Sequence, residues 1–97
     1  MTIPSQGQLY RQATDKEALA TTLTRYAEEL DRVFAGTLAR PQDAHAFWKG
    51  PAADRFATQA AQLRREVGSL IENCRSTAQR LRNQAQLLRN EAAQLPG

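Results

Sequence analysis

Asp43 and His45 stand two residues apart, and an imidazole beside a carboxylate can move a proton or help to hold a metal. His45 is the only histidine and Cys74 the only cysteine, so the two cannot supply the three or four side chains that a zinc site of the usual kind needs. No Ser-His-Asp order, glycine-rich phosphate loop or H-E-x-x-H pattern accompanies them. Catalysis is therefore the weakest reading, and no cofactor, metal or small-molecule substrate is expected. A lone cysteine excludes an internal disulfide, and Cys74 falls on an apolar helical stripe, where it reads as a small buried hydrophobe. The remaining concentration of unusual residues is Phe47-Trp48-Lys49-Gly50-Pro51, followed by Phe56. Trp48, the only tryptophan, is either a plug packing against Phe47 and Phe56 or a recognition element carried on a turn. Gly50 relieves the steric limits next to Pro51 and permits a tight approach.

Whatever Trp48 does, two helices must position it. The chain has 97 residues, of which 41% are apolar and 24% charged, with four prolines and five glycines. That composition fits one domain over residues 1–97 and not a disordered linker. The spacing predicts helix one over 14–39, opened by a capping box at Thr14-Asp15-Lys16-Glu17 and stopped by Pro41. Residues 1–13 are expected to be flexible or partly helical. Leu19, Leu23, Tyr26, Leu30 and Val33 recur at alternating steps of four and three, with Phe34 widening the stripe, and that face is expected to be buried. Residues 40–50 form the turn, and Pro51 suits the first position of helix two, expected over 51–94. Its stripe runs through Phe56, Ala60, Leu63, Val67, Leu70, Ile71, Cys74, Ala78, Leu81, Ala85, Leu88, Ala92 and Leu95, and the large residues of the two stripes are expected to form a combined core and dimer seam.

A stripe this broad, on helices of unequal length, is wider than one antiparallel neighbour can cover. The predicted architecture is all-α: a helix-turn-helix hairpin that dimerises into an antiparallel four-helix bundle. The net charge of +3 is uneven, with Lys and Arg matching Asp and Glu at six each in the first fifty residues and outnumbering them seven to four thereafter. Arg64, Arg65, Arg75, Arg80, Arg82 and Arg89 lack interleaved aromatics, so they read first as a solvated face and only second as the footprint of a basic helical nucleic-acid-binding dimer.

Trp48-x-Gly50, followed by Ala52-Ala53 and Phe56 and centred between two amphipathic helices in a chain of this length, resembles the signature of the early secreted antigenic target (ESAT)-like WXG family. The resemblance implies a small helical hairpin that pairs with a homologous WXG-type hairpin and leaves the cell through type VII secretion. It also implies a secretion ATPase as a further partner, a cytoplasmic pool before export, and a part for Trp48 and Gly50 in what the secretion machinery reads. The first eight residues have neither the basic nor the apolar region of a Sec signal peptide, which agrees with that route. The family's tail signal, a tyrosine followed after three residues by an acid, is degenerate here: Glu91 has the acid and the spacing, but Leu87 stands in place of tyrosine. The departure favours a heterodimer whose more acidic partner carries the signal. A rival reading is an intracellular chaperone or targeting hairpin for a larger toxin of the same secretion system.

Overall fold

The computed structural model describes residues 3–37 and 50–96. They form two long helices that pack against each other as a hairpin, with no strand among the described residues: α1 over Gln6–Thr37 and α2 over Pro51–Gln94. At 1.5 Å per residue their 32 and 44 residues give lengths of about 48 and 66 Å. The expected end of helix one at residue 39 and the turn over 40–49, with Pro41, Asp43, His45, Phe47 and Trp48, lie outside the described residues.

Helix α1 begins eight residues before the Thr14 box that was expected to open it. The cap is Ser5. Its Oγ accepts from the Gln8 amide at 3.2 Å, Gln8 Oε1 accepts from the Ser5 amide at 2.8 Å, and the Ser5 carbonyl accepts from Leu9 at 3.0 Å. This reciprocal pair satisfies two of the donors that a helix start leaves orphaned. Thr14 and Glu17 match the same pattern but are engaged across the hairpin, so residues 6–13 are helical where a flexible segment was the alternative.

Helix α2 starts from Gly50, whose carbonyl accepts from the Asp54 amide at 3.0 Å, while Asp54 places a negative charge in the first turn. Gly50 has φ of 112°, in a region that residues with a Cβ seldom adopt. Among the described residues a Cβ built there meets nothing within 4 Å, so what the structure shows to require the glycine is the backbone conformation. Gly50→Ala is therefore expected to lower stability by about 1–3 kcal/mol through strain alone, read as a fall in denaturation midpoint with an unchanged helical circular-dichroism signal. An equal loss for Gly68→Ala, which also meets open space but lies within a regular helix, would contradict that cause.

The hairpin divides into two compact units. In the unit of Met1–Tyr26 with Cys74–Gly97, the buried apolar residues are Leu9, Ala13, Ala20, Cys74, Ala78, Ala85 and Ala92. In the unit of Ala27–Asn73 they are Ala27, Ala53, Ala60 and Ile71. Every alanine named except Ala60, at 7%, has no exposed surface. The seam is thus built from methyl groups at intervals of seven: Ala13-Ala20-Ala27 on α1, and Ala53-Ala60 and Ala78-Ala85-Ala92 on α2. Seven residues are two turns, so each series faces one way.

Within the hairpin itself, the large residues of the expected core and dimer seam lie beside this contact line and not on it. Leu19, Tyr26 and Val33 on α1, and Phe56, Leu63 and Leu70 on α2, are exposed, from 43% at Phe56 and Leu70 to 64% at Val33. Leu23, Leu30, Phe34, Val67, Leu81 and Leu88 are partly buried, whereas Ile71 and Cys74 are buried as expected. The physical reason is size. A methyl on the contact line lets two backbones approach closely and gain dispersion along their length, while a leucine there would hold them apart. The large side chains consequently flank the seam.

Candidate functional site

Exposed apolar residues also recur every seven positions, Leu19-Tyr26-Val33 on α1 and Phe56-Leu63-Leu70 on α2. On α1 the series lies one residue before Ala20 and Ala27, about 100° around the helix. On α2 it continues to Thr77, one residue before Ala78. Antiparallel helices wind in opposite senses when viewed from one end, so equal displacement from the facing residues brings both series to the same side of the seam within each unit. In the Ala27–Asn73 unit that side carries Val33, Phe56, Leu63 and Leu70, with Leu30, Phe34 and Val67 partly buried beneath. In the other unit it carries Leu19 and Tyr26, with Leu23, Leu81 and Leu88 partly buried. Each of the exposed side chains is already about half covered, so completing the cover of one releases about 1 kcal/mol, roughly half the value for burying a fully exposed one.

In the unit of Met1–Tyr26 with Cys74–Gly97, the opposite side of the seam carries Arg82 and Arg89, which sequence patterning assigned first to a solvated face. Arg89 donates to both carboxylate oxygens of Glu17, through Nε to Oε2 at 3.3 Å and through Nη2 to Oε1, and Nη2 also donates to Thr14 Oγ1 at 3.3 Å. Arg82, seven residues earlier, donates through Nη2 to Thr24 Oγ1 at 3.2 Å, and that hydroxyl donates in turn to the Ala20 carbonyl at 2.9 Å. Guanidinium stems crossing beside the alanines shield the seam on this side. A positional signal did exist in the sequence: Arg82 and Arg89 are seven apart on α2, as are Glu17 and Thr24 on α1.

The Arg89 hydrogen bond holds the Glu17 carboxyl below its ordinary value of 4.5, opposed by partial desolvation and aided by the guanidinium charge, and the same contact raises Arg89. Arg89 therefore stays cationic at any working pH, and Glu17 carries the pH dependence. A carboxylate whose pKa is lowered by folding adds stability that is present above its unfolded value and is lost as pH falls through the folded one. Both side chains remain partly exposed, at 34% for Arg89 and 44% for Glu17, so solvent screens the pair. Thermal melts are expected to show the wild type losing more stability than Glu17→Gln between pH 7 and pH 3, with the extra loss beginning below about pH 5. Parallel loss in the two proteins would show that the contact adds nothing.

Leu87 is 67% exposed, and with Glu91 it lines a shallow groove shared with Gln12, Lys16, Gln84 and Leu88. Within that groove Lys16 Nζ donates to Gln84 Oε1 at 3.0 Å. Phe47 and Trp48 lie outside the described residues, as do Asp43 and His45, whereas Gly50 and Phe56 stand at the start of α2. Among the described residues no group of three or more His, Cys, Asp or Glu is placed to hold a metal, and no helix is long and apolar enough to cross a membrane.

A family model, that of proteins of 100 residues with WXG, matches residues 11–91, which takes in most of both described helices and the Trp48-x-Gly50 turn. No curated protein and no solved structure matched. Proteins of this family are small helical secretion substrates and are not known as enzymes, and they pair with other hairpins of the same type. With a match over most of its length and a helical hairpin as its structure, the chain belongs to the WXG100 family, the ESAT-like family of type VII secretion substrates.

Proposed function

We propose that this chain is a substrate or co-secreted partner of a type VII secretion system and that it works by binding, its apolar face covered by a second WXG-type hairpin in an antiparallel four-helix bundle. The observation that carries this reading is the exposure of large apolar residues at heptad spacing in each unit, Leu19 and Tyr26 in one and Val33, Phe56, Leu63 and Leu70 in the other. A surface of that kind is costly to leave in water, and it is broad enough to need two helices as cover. The degenerate tail at Leu87 and Glu91 supports a heterodimer in which the partner carries the tail signal. A secretion ATPase is the further partner, and a cytoplasmic pool precedes export.

Trp48 and Gly50 contribute at the turn to what the machinery reads. Trp48→Ala is expected to cost about 1–3 kcal/mol of stability without breaking assembly, because the long helix-helix contacts remain. Export is expected to fall by far more than that loss accounts for. The measurement is the ratio of secreted to cell-associated protein for Trp48→Ala beside a variant of matched stability, such as Val67→Ala. Equal export of the two would reduce Trp48 to a structural plug.

A further inference from the structure

The α1 positions 9, 16, 23 and 30 form one heptad series, Leu-Lys-Leu-Leu, in which Lys16 is the single charge. Leu9 is buried and Lys16, Leu23 and Leu30 are partly buried, so the stem of Lys16 occupies a place that its neighbours in the series give to leucine and carries an exposed ammonium at its end. On α2 the exposed apolar series, followed onward, runs Leu70, Thr77, Gln84, Glu91 and so turns polar at the same end. Lys16 and Gln84 meet there at 3.0 Å. The acceptor is a neutral amide, and an ammonium has three N–H donors and a full charge to satisfy. In open water solvent completes the set. Once a helix covers this end of the face, solvent is displaced and the ammonium becomes costly unless the covering helix brings a carboxylate.

From this juxtaposition we infer that Lys16 selects the partner: the helix that covers this end of the apolar face carries an Asp or Glu in its own apolar stripe, and a second copy of this chain is disfavoured. The inference rests on the apolar face being an interface, as proposed above. A lone lysine in an otherwise apolar heptad series sets register and partner choice at a cost in affinity. Neither exposed apolar series that a second copy would offer, Leu19-Tyr26-Val33 or Phe56-Leu63-Leu70, contains an acidic residue. Glu91, which lines the same groove and lies on the polar continuation of the second series, is the one carboxylate a second copy has there.

The test uses the full chain and two synthetic leucine-faced amphipathic helices that are identical except for Glu or Gln at the central stripe position. By fluorescence anisotropy the Glu helix is expected to bind about tenfold more tightly than the Gln helix, with the difference shrinking as salt is raised. Lys16→Met should erase that preference, Glu91→Gln should leave it intact, and in sedimentation Lys16→Met should self-associate about tenfold more tightly than the wild type. A merely structural role for Lys16 would not give these opposite signs. Equal binding of the two helices by the wild type would overturn the inference while leaving the interface standing, as would tight self-association of the wild type that Glu91→Gln abolishes. Failure of both helices to bind, with Leu70→Asp equally without effect on any association, would overturn the interface reading and this inference with it.

Discussion

Ala78→Leu is expected to destabilise strongly the unit built from Met1–Tyr26 and Cys74–Gly97. Ala78 has no exposed surface and belongs to the series with Ala85 and Ala92, on which the close packing of that unit depends. The extra carbons have no cavity to enter, so the helices must separate or the side chain must leave its rotamer, at a cost of about 1–3 kcal/mol. In a chain this small the total stability is only about 3–5 kcal/mol, so a large share of it disappears. Circular-dichroism melts should show a transition lowered by roughly 10 °C or more, and hydrogen exchange should show early loss of protection over residues 74–94. Ala93→Leu makes the same chemical change at an exposed position of the same helix and should leave the melt almost unchanged. If the two leucines behave alike, the methyl seam is not what holds the helices together.

Leu70→Asp should do the reverse. Leu70 is 43% exposed in the hairpin, so an aspartate there is tolerated by the isolated chain within about 0.5 kcal/mol. In the proposed bundle the same carboxylate would be buried beside apolar groups, at a cost of several kcal/mol, which is enough to abolish association. Leu81→Asp should combine both effects, because Leu81 is already partly buried in the hairpin, and Arg80→Ala should do little. Sedimentation, together with the dependence of the melting temperature on protein concentration, separates the cases. An association constant unchanged by both aspartates would remove Leu70 and Leu81 from any interface.

The two-helix architecture was legible because Pro51 and the heptad spacing on either side of the turn leave few alternatives to a hairpin. On α1 the contact line inside the hairpin was not told apart from the face beside it, for an instructive reason. Periodicity locates a face to within about 100°, and here two series one residue apart, alanines and large apolar residues, satisfy the same period. Weighting residues by hydrophobicity selects Leu19, Tyr26 and Val33, whereas packing selects the methyls of Ala20 and Ala27. The start of α1 was missed because Ser5-Gln6-Gly7-Gln8 and Thr14-Asp15-Lys16-Glu17 are equally good capping boxes in isolation, and only the position of Arg89 shows that Thr14 and Glu17 are used elsewhere. Lys16 carried a signal that went unread, a charge in a leucine series, because its partner Gln84 is 68 residues away in the chain.

Gln6 Nε2 donates to the Ala92 carbonyl at 3.0 Å, which ties the first turn of α1 to the last turn of α2. Tension applied between the two ends of the chain therefore loads the cross-helix contacts in sequence. Gln6 to Ala92 parts first, then Arg89 from Thr14 and Glu17, then Lys16 from Gln84 and Arg82 from Thr24. Between these rungs lie mostly methyl groups, with Leu9 the largest buried side chain among them. Drawn apart by its ends the hairpin peels rung by rung at low force, whereas sliding one helix lengthwise past the other must break every rung of the unit at once. Mechanical resistance in this molecule is thus a matter of direction, and the weak direction is the one its own two ends define.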